Sequence, residues 1–117
     1  MHRREEFADF VTEQMAGLGR ISARRMFGGH GLYCDGLFLA IITGDKLYLK
    51  ADAQTQPAFE ERGLPRFTYS ARGKTVQLMY YEAPAEVFDE TQAMQHWGRL
   101  ALQAAVRAHA PAARKRR

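Results

Sequence analysis

The dipeptides Asp35-Gly36 and Gly44-Asp45 constrain this chain more than any other feature. Each joins a glycine to an aspartate, the composition of a two-residue hairpin turn, where central residues adopt positive φ. Between them runs Leu37 to Thr43, rich in Leu and Ile and free of Gly and Pro, as a well-buried strand should be. After the second turn, Leu47-Tyr48-Leu49-Lys50 alternates apolar and non-core positions. Strands joined by turns this tight run antiparallel, so the middle of the chain is a meander. Upstream, the period changes to two at Ile21. Residues 23 to 34 read either as one long strand bent at Gly28 and Gly29 or as two strands with a turn there. A bulge at the paired glycines makes the bent strand the favoured reading.

Helical patterns flank this sheet. Phe7, Phe10, Val11, Met15 and Leu18 recur at spacings of three and four, which predicts a helix over residues 3–17. Glu5, Glu6 and Asp9 complement the dipole at its start, and Gly17 and Gly19 end it. A short second helix is expected after Thr55 as N-cap, with Pro57 in its first turn and Gly63 beyond its last. A second hairpin follows, with Phe67-Thr68-Tyr69 and Val76 to Tyr80 as arms around Ala71-Arg72-Gly73. Pro84 closes it. Asp89 and Gln92 resemble a capping box opening a last helix, whose stripe is Met94, Trp97, Ala101 and Ala105, broadened by Leu102. The expected fold is α+β in two layers, α-β(3)-α-β(2)-α, with helices on an antiparallel sheet.

Charge separates body from tail. Of the 17 Lys and Arg, four are Arg114, Lys115, Arg116 and Arg117; removing them leaves 13, equal to the 13 Asp and Glu. A neutral body argues against a DNA-binding domain. The expected division is a folded domain over 1–108 and a disordered basic tail over 109–117, able to make weak, salt-sensitive contacts to nucleic acid. The lone Cys34 fits a reducing compartment, and with no signal peptide or membrane run the expected location is cytoplasmic.

The segment Arg25-Met26-Phe27-Gly28-Gly29-His30-Gly31-Leu32-Tyr33 resembles the signature of the TfoX N-terminal domain family. The likeness continues through Leu47 to Lys50, Phe67 to Tyr69, Tyr80-Tyr81-Glu82-Ala83-Pro84 and the helix around Trp97, covering roughly residues 3 to 108. The resemblance implies a secretion-chaperone-like α+β fold. It further implies a relation to positive regulators of bacterial competence genes, which work alongside the cyclic-AMP receptor protein. Those regulators carry a second domain, and this chain resembles their N-terminal half alone. The motif positions are Arg25, Met26, Phe27, Gly28, Gly29, Gly31, Leu32 and Tyr33.

Chemistry is sparse. Gly73-Lys74-Thr75 lacks the upstream glycine and the following helix of a phosphate loop, and Gly28 to Gly31 lacks dinucleotide spacing. His2, His30, His96 and His109 are scattered, and His30 with Cys34 on one strand face supplies only two ligands. Glu60, Glu61, Glu86, Asp89 and Glu90 read as solvated or dipole-complementing groups. No cofactor and no catalytic set is expected. The sheet's second face is more informative. With Leu32, Leu47, Leu49, Val76, Leu78 and Tyr80 toward the helices, parity turns Tyr33, Phe38, Ile42, Tyr48, Met79 and Tyr81 outward. An uncovered antiparallel face is ordinarily polar, so an aromatic one implies an interface. The expected interface set is Tyr33, Phe38, Tyr48, Met79 and Tyr81. Its occupant is read as a second copy or a partner protein, with cover by the chain itself or stacked single-stranded nucleic acid as competing readings. The leading function is thus a non-enzymatic, protein-binding regulatory module. The alternative is a small-ligand binder or enzyme near Gly28 to Gly31, with Arg24 or Arg25 holding an anion; a chaperone-like peptide binder is a third, by fold analogy.

Overall fold

A computed structural model describes residues 3–26 and 28–115, with side chains described over 5–26 and 28–109. Helix α1 spans Arg3–Gln14 and is followed by a 3-10 turn at Ala16–Leu18. Six strands are described: β1 Ile21–Met26, β2 Gly29–Cys34, β3 Leu37–Thr43, β4 Lys46–Lys50, β5 Arg66–Ala71 and β6 Lys74–Glu82. Helix α2, Gln56–Glu61, lies between β4 and β5, and α3 runs over Thr91–Lys115 after a 3-10 turn at Ala85–Phe88. All pairings are antiparallel, in the order β1-β2-β3-β4-β6-β5.

The architecture is the expected α+β type, and the turns follow their residues. Asp35 and Gly36 have φ of 50° and 86°, and Arg72 and Gly73 have 54° and 78°. Positive φ at both central residues is the tight-hairpin geometry that matches strand twist. The glycine segment differs from expectation. It is not a bent strand: Met26 pairs with Gly29, and Gly28 takes φ 78°, so β1 and β2 form a separate hairpin and the meander has four strands. The last helix also departs, because Asp89 ends the 3-10 turn at Ala85–Phe88 and α3 begins at Thr91. Nor does α3 stop at residue 109; it continues past Pro111 to Lys115. The side chains of Ala110 onward, the whole of Arg116 and Arg117, and Phe27 lie outside the described residues.

The core lies between the sheet and the helices. Ala8 and Val11 of α1, Met15 just after it, and Met94, Trp97, Ala101 and Ala105 of α3 join Leu32, Leu39, Ala40, Ile42, Leu47, Leu49 and Tyr81 in one buried cluster. Phe59 of α2 ties the layers together, stacked on Tyr81 at 5.2 Å and tilted against Trp97 at 5.2 Å.

Candidate interaction surface

Cross-strand neighbours share a sheet face, so register sorts the side chains. Leu32 pairs with Ala40, Ala40 with Leu49 and Leu49 with Tyr81. All four are buried and define the inner row. The adjacent pairs, Tyr33 with Phe38 and Lys50 with Tyr80, therefore face outward. A bulge accommodates the switch. Between the Tyr33–Phe38 and Leu32–Ala40 pairs, Leu39 is an extra residue, so Phe38 turns outward while Leu39 and Ala40 both stay in the core.

The outer face carries two aromatic clusters. In one, Phe38 lies 5.1 Å from Tyr33 and 5.8 Å from Tyr80. In the other, Phe67 meets Tyr48 edge-on at 4.9 Å and Tyr69 at 6.0 Å. Ile41, Val76 and Leu78 fill in around them by parity. Cations lie over the rings: the Arg24 guanidinium is 5.4 Å from the Tyr33 centroid, and Lys50 Nζ is 5.1 Å from that of Tyr80. Lys50 also donates to Tyr80 Oη at 3.4 Å. Burial, with Tyr33 adding to it, pushes the Tyr80 phenol up to about 12. Burial lowers the Lys50 ammonium, with Asp52 opposing, and raises the Tyr48 phenol, helped by the charge of Glu82. Lys46 pairs with Glu82 at 3.4 Å. No described helix packs over this face: the buried residues of α1 and α3 belong to the inner cluster.

Of the expected interface residues, Tyr33, Phe38 and Tyr48 do lie together on this face. Met79 and Tyr81 do not. Met79 packs against the core, and Tyr81 is buried under Phe59, donating its hydroxyl to Glu60 at 2.5 Å and accepting from Gln56 at 2.7 Å. Ile42, also expected outward, is buried opposite Leu47. The parity of β6 is thus reversed from expectation, and Val76, Leu78 and Tyr80 face outward. Phe67 and Tyr69, read as hairpin arms and not as part of the surface, belong to it. A signal existed: Tyr69 pairs with Val76 across a tight turn, so the two had to share one face.

The glycine motif is filled by protein. A Cβ on Gly29 would lie 2.1 Å from the Ile42 carbonyl oxygen, and one on Gly31 would lie 2.8 Å from Phe38 and 2.9 Å from the Met26 methyl. Both glycines are therefore explained by close approach, Gly29 to the β3 backbone and Gly31 to the aromatic face. Arg24 and Arg25 point to opposite sides, the first to Tyr33 and the second to Glu5 of α1, so they do not frame one anion pocket. His30 and Cys34 share the inner face, but four residues of strand separate them by about 13 Å, too far to grip one metal. His30 Nδ1 is buried without a partner among the described residues. The Cys34 thiol is pushed up by burial and by Asp35, against what a nucleophile needs. Glu86 is taken up by a two-bond pairing with Arg62 at 2.8 and 3.1 Å.

A sheet with helices on one side and clustered aromatics on the other is an α+β domain of the kind the glycine segment resembles. The model of the TfoX N-terminal domain family matches residues 13–105, and the chain belongs to that family. It is 30% identical to the DNA transformation protein TfoX1 of Aliivibrio fischeri over 92 residues, covering 79% of this chain and 42% of that protein. It is 27% identical to Protein Sxy of Escherichia coli over 95 residues, covering 81% and 46% respectively. The chain therefore spans less than half the length of these curated relatives. Among the described residues, no helix is long and apolar enough to cross a membrane.

Proposed function

We propose that this chain is a non-enzymatic regulatory module that acts by binding another protein through the outer face of its sheet. In this reading the role lies in competence regulation, with a partner in the transcription machinery and a cytoplasmic site of action; similarity to a DNA transformation protein supports the first of these. The observation that carries the reading is the outer face itself: six aromatic rings in two clusters, on a sheet side that no described helix covers. Tyrosine, with an apolar body and a polar tip, suits the core of such an interface. Stacking of nucleic-acid bases fits less well, because Tyr33 and Tyr80 already carry cations over their rings and Tyr80 is 7% exposed.

The test is the double variant Tyr48→Glu with Phe67→Glu, which charges the face and spares the inner cluster. In affinity capture from the native host, the variant should lose the partners retained by the natural chain while keeping its circular dichroism. An unchanged set of partners and an unchanged sedimentation coefficient would remove this face from the function.

A further inference from the structure

We infer that the free edge of β6 is a second element of recognition, which takes an extended, acidic segment of a partner protein as an added strand. The inference rests on the protein-binding reading but uses a different surface. Strand β4 covers β6 only through Tyr48–Glu82, Leu49–Tyr81 and Lys50–Tyr80. Beyond that point the chain leaves the sheet, and Ala51 N–H donates to the Met79 carbonyl at 2.9 Å as the last rung. Residues 74–77 of β6 pair with β5 on one side and, among the described residues, with no strand on the other.

Backbone direction follows from the rungs present. Met79 accepts from Ala51, and Ala83 donates to the Leu47 carbonyl, so odd-numbered residues here turn their groups toward β4. A register shift lies opposite residues 78–80, so the direction beyond it is set from the hairpin end. The Arg72-Gly73 turn makes Ala71–Lys74 a hydrogen-bonded pair, even-numbered residues of this arm face β5, and Thr75 and Gln77 direct their groups into the space β4 has vacated. Both residues are exposed. A shallow cleft of about 430 Å³ opens at the inner end of that space, lined by Ala51, Met79, Ala104 and Arg107 among others. A strand laid in line with β4 would place alternate side chains toward this Met- and Ala-lined cleft. Its remaining side chains would lie on the outer face between Lys50 and Lys74.

Charge selects the occupant. Neither Lys50 nor Lys74 has an ion pair among the described residues, whereas Lys46, Arg62 and Arg107 each have one. Arg72 adds a further exposed cation at the hairpin turn. A second copy of this basic edge would meet like charge, while an acidic segment would meet complementary charge.

The probe is a fluorescein-labelled octapeptide of alternating glutamate and valine, read by anisotropy, with a lysine–valine peptide as control. The natural chain should bind the acidic peptide saturably below millimolar concentration and not the basic one. Binding should slow hydrogen exchange at the Thr75 amide. Gln77→Pro removes one donor on the free side without touching the β5 ladder, and should abolish binding while the hairpin persists. Should that variant fail to fold by circular dichroism, Lys50→Glu with Lys74→Glu decides, with an expected loss of at least about tenfold. The inference is overturned by any of four results: no saturable binding, equal binding of the basic peptide, retained binding in the variant that folds, or no protection at Thr75. A dimer dispersed by Gln77→Pro would give the edge to a second copy and overturn it as well. Tyr48→Glu with Phe67→Glu separates the two surfaces: loss of host partners there, alongside an octapeptide that never binds, leaves the face reading standing and removes the edge.

Discussion

Tyr80 and Tyr81 are adjacent in the chain and belong to different worlds. Tyr81 is stacked on Phe59, with its hydroxyl held by Glu60 and Gln56. Tyr80 lies on the other side of the same strand, with Phe38 beside it and Lys50 over its ring. Both are nearly excluded from solvent, at 1% and 7% exposure, yet for different reasons. Tyr81 is covered by a layer of helices, Tyr80 by its neighbours on a bare face. Burial alone therefore does not distinguish core from surface cluster here. What covers the ring does, and the two faces should respond differently to the same kind of injury.

The largest expected difference comes from removing one ring on each side. Phe59→Ala deletes the side chain that joins Tyr81 to Trp97 and leaves a cavity the helices cannot close, costing about 3–5 kcal/mol. Tyr48→Ala on the outer face should cost about 1 kcal/mol, since water replaces what is lost. Thermal or urea unfolding of both variants measures the gap. Equal costs would mean that the outer face is packed as a core and that the isolated domain is structurally complete without a partner.

The glycines give a finer version of that comparison. Gly29→Ala forces a methyl against the Ile42 carbonyl, and backbone in a paired strand cannot move aside; about 2–4 kcal/mol is expected. Gly31→Ala meets Phe38 and the end of Met26, and the methionine can swing away, so about 1–2 kcal/mol is expected. Chemical denaturation of the pair tests the order. A larger loss at Gly31 would show that the aromatic cluster is as rigid as the ladder.

These positions also show where the sequence was readable. Asp35-Gly36 and Leu37 to Thr43 were legible because turn chemistry and an apolar run agreed, and β3 has those bounds. The β1–β2 hairpin was legible only as the less favoured of two readings, because the motif presents two adjacent glycines for two different reasons. Gly28 supplies positive φ, and Gly29 a close approach to β3; together they resemble a bulge. The parity of β6 was lost because Val76 to Tyr81 is apolar or amphipathic at nearly every position, so alternation carries no sign. Tyr33 and Tyr48 are read as outward-facing from strands fixed by short turns, and the register turns both to the outer face, with Phe38 beside Tyr33. The bulge at Leu39 had no visible marker, and it is what sends Phe38 outward while Ile42 stays in.

Alkaline titration separates the two tyrosines by chemistry. Tyr80 is raised to about 12 by burial, above its ordinary value of 10.0. A phenol with a raised folded value favours the native state fully below pH 10, where both states are protonated. That contribution is lost as pH rises from about 10 to about 12, because the unfolded chain releases its proton first. Tyr81 is also raised, by burial and then by Glu60, so the natural chain should lose stability over this range from both faces. Tyr80→Phe should flatten part of the slope and Tyr81→Phe another part, measured as melting temperature against pH. A slope untouched by Tyr80→Phe would mean that water reaches its hydroxyl and that the outer cluster is looser than its geometry.

The smallest effect belongs to the ion pair at the far end of the helical layer. Arg107 of α3 donates two hydrogen bonds to Asp52, at 2.7 and 3.0 Å, and Asp52 also accepts from the backbone of Gln54 and Thr55. The Arg107 hydrogen bond leads in holding the Asp52 carboxyl below its ordinary value of 3.8, against the effect of burial. A depressed carboxyl stabilises the fold above its unfolded value and loses that contribution as pH falls through the lower folded one. The side chains are 32% and 28% exposed, so solvent screens the pair, and Arg107→Ala should shift the denaturation midpoint at neutral pH less than any variant above. Once the pH has fallen through the depressed value of the natural chain the two should converge, because the carboxyl is then protonated in both. This pair fastens α3 to the loop after β4 on the inner side, away from the two aromatic clusters. A shift as large as that of Gly31→Ala would show that the helical layer and the aromatic face are coupled through the end of β4.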